Sequence, residues 1–282
     1  MYYLKSRDIR TSPEDEELVR ITNECLTDSS AGLTFDAGPH KYYFLGKEVR
    51  SVSSVVESFE PVFEERKVAE GCSCNPMHPY FGMEVDRILE LWHENRDNAA
   101  ENGTKAHLFG ESCCMFLHGR LDEIEPEFKD RITENGFEAR TEKEEAIARW
   151  WNDLDTDRYL YVAKETRIYN PELDYAGTFD LLLYDRETYG FALKDYKTNG
   201  CLTKSFNKHM KAPLNIIPAD NLGKYTVQQN LYRIQLQNIG IDIRTMGLLW
   251  LKTDGTYEDV TVPVYDRLVR LAMLMQNKKS RK

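Results

Sequence analysis

Apolar positions along the chain change their spacing several times, and each change predicts a different kind of element. Residues 1–35 are polar and mixed, and the acidic run Glu14-Asp15-Glu16-Glu17 behind Pro13 predicts a short helix. Tyr42-Tyr43-Phe44-Leu45 and Val49-Arg50-Ser51-Val52 are two β-prone runs joined through Gly46 and Lys47, which predicts a small hairpin. Ser51 and Ser53 then precede Val55, Val56 and Phe59, a helix start. Residues 71–82 hold Gly71, Pro76, Pro79 and Gly82 and are expected to be irregular. Val85, Ile88, Leu89 and Trp92 share one helical face, so a helix is predicted over 83–95. A second, capped by Thr104 after Gly103, is predicted to run to about His118 and to stop at Gly119. Thr141 and Glu144 form a capping box for a third, which carries Ile147, Trp150, Trp151 and Leu154.

The spacing then shortens. Residues 159–169, 178–184 and 191–197 are rich in β-formers, with a polar turn over 185–190. Residues 198–224 form a long connection with Pro213, Pro218 and Gly223, a length that usually serves function. A helix over 225–238, strands over 245–252 and 260–264, and an amphipathic segment from Asp266 complete the chain. Strands interleaved with helices in this order predict an α/β fold with helices flanking a mixed sheet.

Composition narrows the class. The 282 residues are 41% hydrophobic and 30% charged, which excludes a disordered chain and leaves ample apolar surface for a core. No apolar run approaches the ~20 residues of a membrane span, and the first residues lack the apolar core of a signal peptide, so no membrane role and a cytoplasmic location are expected. Six cysteines, two of them adjacent at 113 and 114, do not make a disulfide framework. There are 37 Lys+Arg against 47 Asp+Glu, a formal net charge of −10, which argues against a protein that coats nucleic acid by bulk charge. The charge is uneven. Residues 121–158 hold 13 acids against six Lys+Arg, whereas 194–224 hold six lysines against two aspartates.

The chemistry concentrates on neighbouring strands. In the strand ending Lys194-Asp195-Tyr196-Lys197, a period of two puts Asp195 and Lys197 on one side. Asp180 stands in the preceding strand, and a hairpin between the two would bring the carboxylates within a few ångströms of each other. Two such carboxylates repel unless a cation joins them, and hard oxygen donors suit Mg²⁺ or Mn²⁺. A lysine beside them can orient water or stabilise charge on a phosphoryl oxygen. Upstream, His107 and Glu111 are four apart and share one helical face, a second pair of candidates for a metal shell. Lys204, Lys208 and Lys211 with Phe206, His209 and Tyr225 follow the lysine, a basic and aromatic stretch that fits a nucleic-acid groove. Lys278-Lys279-Ser280-Arg281-Lys282 is a further, less informative basic run. Taken singly, each has a plainer reading: Asp195-x-Lys197 as a solvated strand edge, His107 as a packed helix histidine, the lysine run as a solvated loop.

Together these stretches resemble the PD-(D/E)XK nuclease superfamily, in its RecB-type branch, which includes the mitochondrial genome maintenance exonuclease and many phage nucleases. The resemblance rests on Gly-Thr-x-x-His-x-x-x-Glu at 103–111, Gly-Thr-x-Asp at 177–180, Asp-Tyr-Lys-Thr at 195–198 and Gln-x-x-x-Tyr at 228–232. It also takes in His40, Tyr42, Gly46, Ser51 and Val52, although Arg50 stands where relatives often have proline. It implies a restriction-endonuclease-like core over 98–282, with residues 1–97 as a mainly helical extension packed on it. It implies that Asp180, Asp195, His107 and the Tyr196 carbonyl bind metal, with Glu111 in the outer shell or reaching the ion through water. Lys197 would be the catalytic lysine, and Gln228 and Tyr232 would help place DNA. Glu165 matches a frequent acidic position and carries less weight.

The expected function is a Mg²⁺- or Mn²⁺-dependent DNA nuclease, an exonuclease on single-stranded ends, acting in the cytoplasm of a cell or of a phage host. An endonuclease on the same core is the alternative, and a non-catalytic DNA-binding or assembly subunit is another. Some relatives build an iron–sulfur cluster from one early cysteine and three late ones. Here no cysteine follows Cys201, so no such cluster is expected. Cys72-Ser73-Cys74 with His78 lacks the Cys-x-x-Cys spacing and a second thiolate pair, so a structural zinc is not expected either.

Overall fold

A computed structural model of the chain describes residues 2–204 and 207–280. The chain opens with a short strand, β1 (Tyr2–Leu4), and a helix, α1 (Pro13–Ser29). Ser12 and Asp15 close a capping box at the start of α1, which runs for 17 residues, longer than the acidic run alone predicts. Strands β2 (Leu33–Asp36), β3 (Lys41–Phe44) and β4 (Lys47–Ser51) form an antiparallel meander. Leu45 and Gly46 both have positive φ, the two-residue geometry that closes a tight hairpin, as the spacing predicts. Ser51 accepts from the Ser54 amide and caps α2 (Val52–Phe59).

Two sequence expectations fail in the next stretch. A helix, α3 (Glu65–Cys74), includes Gly71 and ends just before Pro76, so irregular chain begins only at residue 75. The helices expected over 83–95 and from 104 are one continuous 33-residue helix, α4 (Val85–Leu117). Gly103 costs such a helix only about 1 kcal/mol, too little to break it without a proline. The Thr104 hydroxyl bonds back to the Ala100 carbonyl at 3.1 Å instead of capping anything, and Lys105 pairs with Glu101 one turn earlier. The 97/98 boundary falls inside this helix. Gly119, at φ +68°, follows its C-terminal end.

Beyond α4 come β5 (Ile132–Thr133) and β6 (Gly136–Ala139), which with β1 make a small antiparallel sheet that hydrophobic spacing does not reveal. The capping box at Thr141 starts α5 (Glu142–Asp153) as expected. The main sheet is built from β7 (Tyr159–Asn170), β8 (Tyr175–Asp185), β9 (Gly190–Lys197), β10 (Ile243–Leu251) and β11 (Tyr257–Thr261). Helix α6 (Asn221–Asn238) crosses between β9 and β10, and α7 (Asp266–Ser280) ends the described chain. The strand order is β11-β10-β9-β8-β4-β3-β2, with β7 also paired to β8, and both parallel and antiparallel neighbours occur.

Alternation along the strands gives the sheet two apolar faces. Leu182, Leu193 and Leu248 pack with α2, α6 and α7 on one side. Leu181, Leu183, Ala192 and Leu249 pack with α4 and α5 on the other. This is the mixed sheet flanked by helices that the order of elements predicts. Arg50, in the position that departs from the resemblance, bonds Gln276 and Asn277 and ties α7 to β4.

Candidate metal centre and nucleic-acid interface

The site sits where the sheet forks. At its start β8 pairs with β4, through Tyr175 and Ala176; from Leu181 to Asp185 it pairs with β9. Asp180 lies between the two registers. On the other branch, Asp195, Tyr196 and Lys197 have left β8 but still pair with β10. Backbone groups that a full ladder would use are free for side chains there: the Tyr196 amide donates to Asp180 Oδ2 at 2.9 Å.

Helices from both faces close on this fork. From α4, His107 Nδ1 lies 3.2 Å from Asp180 Oδ2 and 3.8 Å from Glu165 Oε1, and its Nε2 lies 3.0 Å from the Tyr196 carbonyl oxygen. From α6, Gln229 donates to Asp195 Oδ2 at 3.0 Å. Lys197 Nζ is 2.7 Å from Asp195 Oδ1 and stands over the Tyr225 ring at 4.3 Å from its centroid. Gln228 Nε2 donates to the Tyr232 hydroxyl at 3.3 Å. A cavity of about 430 Å³ opens over these groups and is lined by Asp180, Lys197, His107, Glu165, Gln228 and Tyr232. Phe35, His40 and Tyr42 of the β2–β3 region form a further wall, with Arg167 above the Phe35 ring.

Electrostatics follow from burying several charges together. Burial and the neighbouring Asp195 push the Asp180 carboxyl well above its usual range. Asp195 moves the other way: burial opposes ionisation, but the Lys197 ammonium, the bond with Asp180 and His107 outweigh it. For Lys197, burial disfavours the charge and Asp195 and Asp180 more than restore it, so its pKa is raised. His107 behaves alike: burial disfavours the imidazolium, yet Asp180, Glu165 and Asp195 raise its pKa to about 9.

His107, Glu165 and Asp180 each offer one donor atom, and the three atoms lie within 4.8 Å of one another. One imidazole nitrogen and two carboxylate oxygens, with a third carboxylate buried alongside, suit a divalent cation of the Mg²⁺ or Mn²⁺ kind in donor chemistry and in charge. The cation would also offset the burial and the repulsion from Asp195 that together hold the Asp180 carboxyl up.

The sequence-predicted residues are thus distributed unevenly. Asp180, Asp195, Lys197, His107, Gln228 and Tyr232 come together, and the Tyr196 carbonyl is at the fork. Glu111 lines the same cavity, but its carboxylate pairs with Lys164 at 2.5 Å; burial, abetted by Glu165, raises its pKa against the pull of Lys164. Glu165, given little weight from sequence, belongs to the donor group. Its φ of +41° is unusual for a residue other than glycine. Regular alternation would send Lys164 and Glu165 to opposite faces, whereas here one reaches Glu111 and the other His107, both on one face of α4. Lys204 and Lys208 line a different cavity, and Lys211 donates to the Ser58 carbonyl. Phe206, Arg281 and Lys282 lie outside the described residues.

Two further residues escape the sequence reading. Gln229 differs from Gln228 only in facing inward, which no spacing argument separates without knowing where the sheet lies. Tyr225 is visible as an aromatic near Lys197, but not as the ring beneath its ammonium.

No helix among the described residues is long and apolar enough to cross a membrane. No family model and no curated protein sequence matches this chain. Among solved structures it is similar to a crystal structure of a putative exonuclease from Eubacterium rectale, at 20% identity and a TM-score of 0.38. That match covers 62% of this chain and 65% of the other, so the chain spans less than two thirds of the length of the structure it matches.

Proposed function

We propose that this chain is a divalent-metal-dependent nuclease that hydrolyses phosphodiester bonds in DNA. The observation that carries the reading is the fork itself: Asp180, Asp195 and Lys197 on two diverging strands, with His107 and Glu165 completing a donor group beside them. Asp180, His107 and Glu165 would hold Mg²⁺ or Mn²⁺, with Asp195 and the Tyr196 carbonyl next in reach. The cation, when bound, supplies positive charge that polarises the phosphodiester and makes nearby water more acidic.

The remaining roles belong to the chain. Asp195, fixed by Gln229, holds the Lys197 ammonium in place, and Tyr225 supports it from below. Lys197 can donate to the attacking water or to a phosphoryl oxygen as negative charge grows in the transition state. Gln228 and Tyr232 line the approach and would position the backbone. Glu111, paired with Lys164, would act one step away from the ion.

We further propose action on single-stranded ends. The cavity is walled on one side by Phe35, His40 and Tyr42, and such a walled, aromatic pocket favours a single strand over a duplex. The test is hydrolysis of end-labelled single- and double-stranded DNA with Mg²⁺ or Mn²⁺, each end blocked in turn. Activity on single strands with a free end, lost in Lys197→Ala and in Asp195→Asn, is expected. Full activity in either variant would sink the reading, and cleavage of covalently closed circles would replace the exonuclease with an endonuclease. Failure to bind Mn²⁺ by calorimetry would favour a non-catalytic DNA-binding subunit.

A further inference from the structure

We infer that the chain carries a second nucleic-acid subsite, distant from the metal centre, in which a base of the single strand stacks on Trp92 while its phosphates meet a basic rim. The inference rests on the nuclease reading for the identity of the strand, but its observations are separate. A cavity of about 670 Å³, larger than the one at the fork, lies between α3, the N-terminal half of α4 and the connection after β9. Its walls are apolar and aromatic: Phe63, Val68 and Trp92 line it, and Tyr80 stands behind Trp92. Phe63 and Trp92 have ring centroids 6.3 Å apart, and Phe63 is 55% exposed, so among the described residues an apolar, aromatic surface faces solvent.

Its charge identifies the occupant. Among the described residues, Arg96, Lys204 and Lys208 line the same cavity, and the carboxylate in that lining is Glu65, whose Oε2 lies 3.3 Å from His93 Nε2. Arg96 also contacts the exposed Asp97 at 3.3 Å. In a chain of net charge −10, cations gathered around exposed rings are complementary to a phosphate backbone with bases to stack, and not to an apolar peptide.

Helix α4 fixes the geometry. Trp92 and His107 ride on the same uninterrupted helix, fifteen residues apart, so they are separated by about 22 Å along its axis. That distance is roughly six phosphates at the stacked spacing of ~3.4 Å, and fewer if the strand is stretched. A strand long enough to reach both places would be gripped at Trp92 while its end lies at the fork; a dinucleotide could not touch both.

The test is binding of labelled oligothymidylate, by fluorescence anisotropy in EDTA so that no hydrolysis intervenes, with circular dichroism to check folding. Trp92→Ala should weaken binding of a long oligomer by roughly 5- to 100-fold, and Trp92→Phe should recover most of that loss. Lys204→Glu with Lys208→Glu, on exposed positions that do not endanger folding, should weaken it further and flatten the dependence on salt. Wild-type affinity for the long oligomer in both Trp92→Ala and the double lysine variant would overturn the subsite, whatever the chain hydrolyses. A loss of affinity in these variants of a protein that cleaves no DNA would uphold the subsite and reject only the nuclease reading.

Discussion

The two halves of α4 have the same backbone and opposite circumstances. Over residues 85–105 only Ile88 is buried, and the surface is held by exposed pairs such as Arg87 with Glu90 and Lys105 with Glu101. From Ala106 onward the helix lies on the sheet: Phe109, Gly110, Cys113, Cys114 and Met115 are buried, and His107 and Glu111 reach the fork. Helix propensity does not distinguish the halves. What does is the presence of β8 and β9 beneath one of them. A histidine gains chemistry there because buried carboxylates surround it, while His93, fourteen residues earlier, meets one exposed glutamate.

The sharpest way to break this contrast is to remove a side chain from each half. On the proposed nuclease function, His107→Ala should lower turnover of single-stranded DNA by about 10²-fold or more, since even residues that merely support metal ligands cost roughly 10–100-fold. Glu90→Ala, an exposed partner of Arg87, should leave turnover within about twofold, because surface pairs contribute little. Equal losses in steady-state assays of the two would erase the distinction.

Two glycines test the packing side of the comparison. A Cβ on Gly110 would sit 2.8 Å from Cε2 and 2.9 Å from Cζ of Tyr196, whose hydroxyl accepts from the buried Trp151 indole at 3.1 Å. Gly110→Ala should therefore destabilise the protein by about 1–3 kcal/mol in urea unfolding and disturb the Tyr196 carbonyl beside His107. At Gly103 a Cβ would meet Thr198 Oγ1 at 3.5 Å, an ordinary contact. Gly103→Ala should stabilise by up to about 1 kcal/mol through helix propensity alone. If both substitutions moved the urea midpoint in the same direction, the two halves would not differ as described.

A smaller effect is expected in pH. In the metal-free protein burial disfavours the charged His107, but Asp180, Glu165 and Asp195 raise its pKa from 6.5 to about 9. The folded value exceeds the unfolded one, so the contribution to stability is fully present below pH 6.5 and is lost as pH rises through about 9. The stability difference between wild type and His107→Gln, measured by urea midpoints in EDTA, should shrink across that window. Because a metal takes the neutral imidazole, Mn²⁺ affinity by calorimetry should rise over the same range. A flat profile in both experiments would mean that His107 is not charged at the fork.

Much of this site is legible in the sequence because it depends on short-range rules. The period of two places Asp195 and Lys197 on one side of a strand, and the period of 3.6 does the same for His107 and Glu111 on a helix. Capping at Ser51 and Thr141, and the hairpin at Leu45-Gly46, are equally local. The structure departs from local signals, or adds to them, where tertiary partners decide. Gly103 and Thr104 look like a helix start, yet a single glycine is too weak a break when the residues on both sides favour a helix. Glu165 reads as one acid on a strand, and only its positive φ beside the fork turns it toward His107. Lys204 and Lys208 follow Lys197 closely in sequence, but the connection carries them to the cavity at Trp92, away from the fork.

By itself, then, the sequence determined which residues alternate, which share a helical face, and that acids and a lysine recur on adjacent strands, because these follow from backbone periodicity. Tertiary structure decided where β8 changes neighbours from β4 to β9. It decided that α4 and α6 meet from opposite faces at that point, and which of two adjacent glutamines faces Asp195. Those choices depend on contacts between segments distant in sequence, from the 34 residues between Gln229 and Asp195 to more than a hundred between β4 and β8, and no local pattern contains them.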